Sequence, residues 1–297
     1  MKSQILRNLE EHASRVGLDT NLVQASGGNV SWKDKEEILM KASGKRLCDA
    51  NSENIFCRIN HQTLSRNEII ETEDFSRHVQ GVLSPSIETN FHLLIPQPYV
   101  THLHSLGSIA LGLIQNSSEK VSSYLASKEI VSIPYVRPGV ALARVIAAVQ
   151  NVNSNVLLLN NHGIIFSGGT TSQIELLIQD FENESRAILA SLPLFETLPD
   201  WRQILTGGVL APDEAVFLGR EPFIKSEHPS LNSVSINSFG DLIFPKNFSE
   251  DRIEMAYFYA RLAKAVEKKA KVEYLQTSEI DALLSWEREI RRIEMAD

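Results

Sequence analysis

Apolar positions along the chain switch between a helical and a strand period, and that switching sets the expected order of elements. Over residues 3–16, Ile5, Leu6, Leu9 and Val16 recur at near-helical spacing, and Gly17 stands where a C-terminal glycine stops a helix. Short strand-like runs at 30–33 and 37–41, joined through the charged Lys33-Asp34-Lys35-Glu36, predict a hairpin, and 55–59 a further strand. Ser84-Pro85-Ser86 opens a short helix that continues over 88–94 and stops ahead of Pro96. A strand over 99–104 follows, then a helix over 108–115 and another from Pro138-Gly139 through 149. Strands over 156–159 and 164–167 precede a long helix over 171–192. From 193 to 245 the chain turns loop-rich, with short strands at 234–236 and 241–244. Amphipathic helices over 249–271 and 278–295 come last. The pattern predicts an α/β core over 1–195 and a loop-rich, then helical, extension over 196–297 packed on it.

Composition narrows the function classes. With 43% hydrophobic and 22% charged residues the 297-residue chain falls in the globular range, which excludes wholesale disorder. Its 29 basic and 37 acidic residues give a formal charge of −8, which repels a polyanion. The densest basic run, 264–271, is interleaved with Glu267, so no nucleic-acid partner is expected. Cys48 and Cys57 are too few for a disulfide scaffold. No apolar stretch approaches the roughly 18 residues of a membrane span, and the N-terminus is amphipathic, unlike a signal peptide. No membrane partner and a cytoplasmic location are therefore expected.

Three histidines fall at informative places. His102 and His104, at i and i+2 in an expected strand, point to one face. His162 follows another apolar run, where a loop can aim it at that pair. Three neutral imidazoles on one point form the protein shell of a catalytic zinc, although His-x-His alone is more often structural. Glu88 lies ahead of His92 at i+4 and is read either as a carboxylate favoured at a helix start or as a metal ligand and general base. His92 reads as a core histidine. The small-residue loops Gly27-Gly28-Asn29 and Ser43-Gly44, with Ser86 at a helix start and Lys41 and Lys45 alongside, suit an anion, though tight turns explain each loop alone.

Together these residues resemble the class II aldolase/adducin family. The matching stretches are Ser26-Gly27-Gly28-Asn29-Val30-Ser31, Lys41-Ala42-Ser43-Gly44, Pro85-Ser86-Ile87-Glu88-Thr89, His102-Leu103-His104-Ser105, Ile133-Pro134-Tyr135-Val136-Arg137-Pro138-Gly139 and Asn161-His162-Gly163-Ile164. They stand in the family's order over about residues 5–190. A narrower likeness, at Ala211-Pro212-Asp213-Glu214-Ala215-Val216-Phe217-Leu218-Gly219 and Trp286-Glu287-Arg288-Glu289, is to the aldolase half of bifunctional rhamnulose-phosphate aldolase/alcohol dehydrogenases. No Gly-x-Gly-x-x-Gly occurs, so no dehydrogenase half is expected here.

The resemblance implies a three-layer α/β/α fold with a central, mostly antiparallel sheet, and a homotetramer. It implies zinc, with Fe2+ or Mn2+ as alternatives, held by His102, His104 and His162, with Glu88 as ligand and proton shuttle. Asn29, Ser43, Gly44 and Ser86, with Gly28 in the same loop, match the positions that hold a substrate phosphate; Ile87 departs from the serine usual there. The implied activity is a lyase acting on a sugar or sugar-phosphate by retro-aldol cleavage through a metal-stabilised enediolate, with a tyrosine from a neighbouring subunit as the family's usual second acid and Tyr124, Tyr135 and Tyr274 as unassigned candidates for it. An epimerase, dehydratase, decarboxylase or Fe(II) oxygenase on the same site, or a non-catalytic adducin-like assembly module, are the alternatives.

Overall fold

Strand pairing, more than helix packing, fixes where the site lies. The computed structural model describes residues 2–149 and 154–296. Helix α1 (Lys2–Gly17) leads into the hairpin β1 (Asn29–Lys33) and β2 (Glu37–Lys41), extended by β3 (Phe56–Asn60), helix α2 (Arg66–Glu71) and β4 (Val79–Gln80). Then come α3 (Thr89–Leu94), β5 (Tyr99–Leu103), α4 (Leu106–Ile114), α5 (Glu119–Ser127), β6 (Val131–Ile133) and α6 (Val140–Val149). Beyond them lie β7 (Val156–Leu159), β8 (Gly163–Gly168) and the long α7 (Thr171–Ser191).

These strands form an eight-stranded sheet in the order β4-β3-β2-β1-β5-β8-β7-β6. Neighbours run antiparallel except β6 and β7, which are parallel. Alternate side chains go to opposite faces, as a period of two requires. Val30, Leu39, Leu103, Ile164 and Phe166 join the core under α1, α4 and α7. Ile38 and Met40 pack with α2, α3 and α6, while Val100, Ile165 and Phe91 do so with α6 on the same side. The result is the three-layer α/β/α arrangement with a mostly antiparallel central sheet.

The remaining chain adds α8 (Trp201–Leu205), α9 (Pro212–Leu218), strands β9 (Phe223–Lys225), β10 (Val234–Ile236) and β11 (Leu242–Ile243), and helices α10 (Glu250–Val266), α11 (Thr277–Leu284) and α12 (Glu287–Ala296). It shares the core with the sheet layer: Met255, Phe258 and Leu262 of α10 are fully buried in the same cluster as Ile109 and Leu113 of α4. Each such side chain contributes roughly 1.5–3 kcal/mol by leaving water.

Four local expectations are corrected. Helix α3 starts at Thr89, because the Ser86 carbonyl accepts from the Thr89 amide (3.2 Å) and hydroxyl (2.7 Å) and closes a turn first; Glu88 takes the non-helical cap position. The helix expected over 249–271 ends at Val266, and Lys268 adopts a left-handed φ of 57°. The helix expected over 278–295 breaks at Ser285-Trp286, where the indole packs against the Gly139 backbone and lies 5.2 Å beneath the Arg137 guanidinium. Helices α8 and α9 occupy the stretch read as loops with strands; a reciprocal Asp200/Gln203 capping box starts the first and Pro212 the second.

Truncating Phe258 to alanine leaves a cavity in this shared core. We expect Phe258→Ala to lower the unfolding free energy by about 3–5 kcal/mol in urea titration.

Candidate metal centre

The pairing register assembles the site. Asn29 of β1 stands opposite His102 of β5, which stands opposite Ile165 of β8. His102 therefore sits mid-sheet on the face covered by α3, with its ring edge-on to Phe91 at 5.5 Å. His104 follows two residues later, just past the strand end. His162 arrives through the tight β7–β8 connection, in which Asn161 takes a left-handed φ of 56°. This turn comes so near β5 that a Cβ on Gly163 would lie 2.3 Å from the Leu103 carbonyl oxygen, so only glycine fits.

The three imidazoles thus converge, with ring centroids 4.8–5.1 Å apart, and all are buried. Their hydrogen bonds decide where the lone pairs point. His102 Nδ1 meets the Ile164 carbonyl oxygen at 3.0 Å, and a carbonyl can only accept, so that nitrogen carries the proton. His104 Nδ1 donates in the same way to the Asp213 carboxylate at 2.7 Å. The two Nε2 atoms then face each other at 3.0 Å. Burial, with His104 and His162 alongside, holds the His102 pKa well below the usual imidazole value, so His102 Nε2 keeps its lone pair toward this contact. Glu88 Oε1 adds a further donor, 3.4 Å from both His102 Nε2 and His162 Nε2. Three imidazole nitrogens within 4.8 Å of one another, with the Glu88 oxygen beside two of them, could hold a divalent transition-metal ion.

Glu88 does not act with His92. The Asn29 side-chain amide donates to Glu88 Oε2 at 2.5 Å and turns the other oxygen toward the histidines. His92 is fully buried, stacks on Phe91 at 4.7 Å and pairs its Nδ1 with the Ser31 hydroxyl at 2.7 Å. Burial holds its pKa low as well, as suits a core histidine.

A pocket opens over these groups, lined by Gly28, Asn29, Ser43, Gly44, Ser86 and Glu88 together with His104 and His162. Gly28 has a left-handed φ of 62° and Gly44 one of 74°. Since α3 begins only at Thr89, Ser86 lies outside that helix; its hydroxyl accepts from the Glu88 amide at 3.2 Å. Buried Lys41 ties the two loops together, donating to the Ser26 carbonyl (2.6 Å) and the Lys45 carbonyl (2.8 Å). Lys45 itself turns away to pair with Glu53 at 2.8 Å. Tyr124, Tyr135 and Tyr274 are not among the pocket-lining residues. Tyr124 donates to Glu184 and Tyr274 to the Ile204 carbonyl, each at 3.1 Å.

Residues 11–187 match the family model for the Class II Aldolase and Adducin N-terminal domain. The chain belongs to this family. A Bacillus subtilis protein described as uncharacterized oxidoreductase YuxG is 26% identical over 192 residues, 57% of this chain. The chain spans only 28% of that relative's length. The L-fuculose phosphate aldolase of Methanocaldococcus jannaschii is 25% identical over 181 residues, covering 59% of this chain and 90% of that protein. The solved sugar-phosphate aldolase of Thermotoga maritima aligns with a TM-score of 0.50 and 15% identity over 64% of this chain and 95% of that one, a likeness of fold.

Sequence reasoning missed the contribution from behind the family domain. Asp213, Arg288 and Glu289 all line the pocket. Asp213 lies 109 positions from His104 in the chain, a contact that no local spacing announces. Next to it, fully buried Glu214 accepts from the Leu210 amide at 2.5 Å. Burial, only partly countered by the Leu210 and Ala211 amides, pushes its pKa up to about 8. Between the unperturbed value of 4.5 and about 8 the native chain keeps a proton that the unfolded chain has released. Glu214 therefore makes stability fall as pH rises through that window, by at most about 1.4 kcal/mol per pH unit. Glu214→Gln is expected to flatten this part of the unfolding free energy against pH, measured by denaturant titration.

Proposed function

We propose that this chain is a divalent-metal-dependent lyase that breaks or forms a carbon–carbon bond in a sugar or sugar-phosphate, with zinc as the resident ion. The observation that carries this reading is the convergence of the His102, His104 and His162 imidazoles with the Glu88 carboxylate, of which His104, His162 and Glu88 line the pocket. The three histidines would hold the ion through their bare nitrogens, with Glu88 Oε1 beside them. A bound ion supplies Lewis acidity toward a carbonyl oxygen and the charge stabilisation that breaking a bond next to that carbonyl needs.

The other steps belong to the chain's own groups. Asn29 holds one oxygen of Glu88, leaving the other to take or return a proton at the carbon beside the substrate carbonyl. Two buried oxygens on the pocket wall, Ser26 Oγ and Asn29 Oδ1, have no hydrogen-bond partner among the described residues and suit substrate hydroxyls. The glycine-rich loops with Ser43 and Ser86 at the rim leave room for a phosphate. The relative that acts on L-fuculose phosphate supports that choice of substrate class.

The test pairs two variants. Purified without chelator, the wild type is expected to hold close to one zinc per chain, and His102→Ala to lose it, read by elemental analysis. Glu88→Gln is expected to keep the fold and most of the metal while lowering cleavage of ketose phosphates by about 10²–10⁴-fold. Metal retained at wild-type stoichiometry in His102→Ala, or an active Glu88→Gln, contradicts the reading.

A further inference from the structure

The bond between His104 and Asp213 links the metal centre to a part of the chain that the family match, ending at residue 187, does not include. Both side chains are deeply buried, with 7% and 6% of their surfaces exposed. A carboxylate so placed carries a large desolvation cost, and its attraction for the imidazole grows when a cation sits on the far nitrogen.

The surroundings are shaped around this pair. A Cβ on Gly27 would come within 3.0 Å of Asp213 Oδ2 and 3.1 Å of His104 Nδ1, so the missing side chain makes room for the contact. Helix α9, which carries Asp213, is buried along its whole length. The loop leading into it is tied to the site itself: the Asn161 side chain, next to His162, donates to the Leu210 carbonyl at 2.9 Å. The same amide donates to the Glu273 carbonyl at 2.9 Å, so one residue anchors two segments of the extension to the turn that aims a histidine.

We propose that Asp213 is a positioning residue of the metal centre: it keeps the proton of His104 on Nδ1 and the Nε2 lone pair turned toward the ion. The segment behind the family domain is thereby a structural part of the site. A carboxylate at this position also raises the basicity of the ligating nitrogen, so it strengthens metal binding without touching the metal. This inference rests on the metal-centre reading above.

The experiment is a competition titration of zinc against a chromophoric chelator at fixed neutral pH, on the full chain, with cobalt(II) absorption as a second readout. The wild type is expected to bind one ion per chain. Asp213→Ala is expected to weaken zinc binding about 10–100-fold and to shift the cobalt spectrum. Asp213→Asn, which keeps the shape and an oxygen acceptor for Nδ1, is expected to recover part of the lost affinity; that graded rescue separates positioning from general damage. Alanine and asparagine variants that bind zinc as tightly as wild type, with an unchanged cobalt spectrum, overturn the inference while leaving the metal centre in place. A wild type that binds no zinc overturns both. Should the alanine variant fail to fold by circular dichroism, the asparagine variant decides: wild-type affinity overturns the inference, and a loss of about threefold or more supports it.

Discussion

Two imidazole nitrogens that face each other at 3.0 Å, each held in that orientation by a proton on its far side, set the constraint on which the site depends. Burial keeps His102 neutral, so its Nε2 turns a bare lone pair toward that contact. The fold fixes the two nitrogens at this distance. It does so with backbone pairing: β5 is clamped between β1 and β8, so His102 has no freedom to turn away. The glycine at 163 then lets the His162 turn press against the same strand. A cation at the shared focus would take the lone pairs that this geometry brings together, the role proposed for the site.

Outside this focus the chain consistently supports it. Asn29, in register with His102, is also the residue that turns Glu88. Lys41 joins the two small-residue loops through their carbonyls, which gives the pocket rim a fixed width. The extension after residue 195 is continuous with the central core through α10, and through α9 it reaches the imidazole shell. Stability and site geometry are thus tied together on this side of the molecule: loosening α9 moves Asp213 and Glu214 together.

Much of this was legible in the residues. His-x-His in an alternating run places both rings on one face by strand geometry alone, and an apolar strand before His162 leaves few directions for its loop. The glycine loops, read with the family's order of motifs, gave the three layers and the sheet. The failures have a common cause. Glu88 looks like a helical neighbour of His92 at i+4, but the turn closed by Ser86 puts it one residue outside the helix and toward the histidines. Helices α8 and α9 are only five and seven residues long, too short to show a period. The break at Ser285-Trp286 depends on where an indole docks on Arg137 and Gly139, and Asp213 depends on a contact between distant segments. Period and propensity carry local information, and these features are tertiary.

The most direct measurement is anomalous diffraction, at the zinc absorption edge, from crystals of the protein grown without chelator. A single anomalous peak is expected within about 2.0–2.1 Å of the Nε2 atoms of His102, His104 and His162. Zinc bound elsewhere, or a shared proton or water between the His102 and His104 nitrogens with no metal after zinc has been supplied, would contradict it.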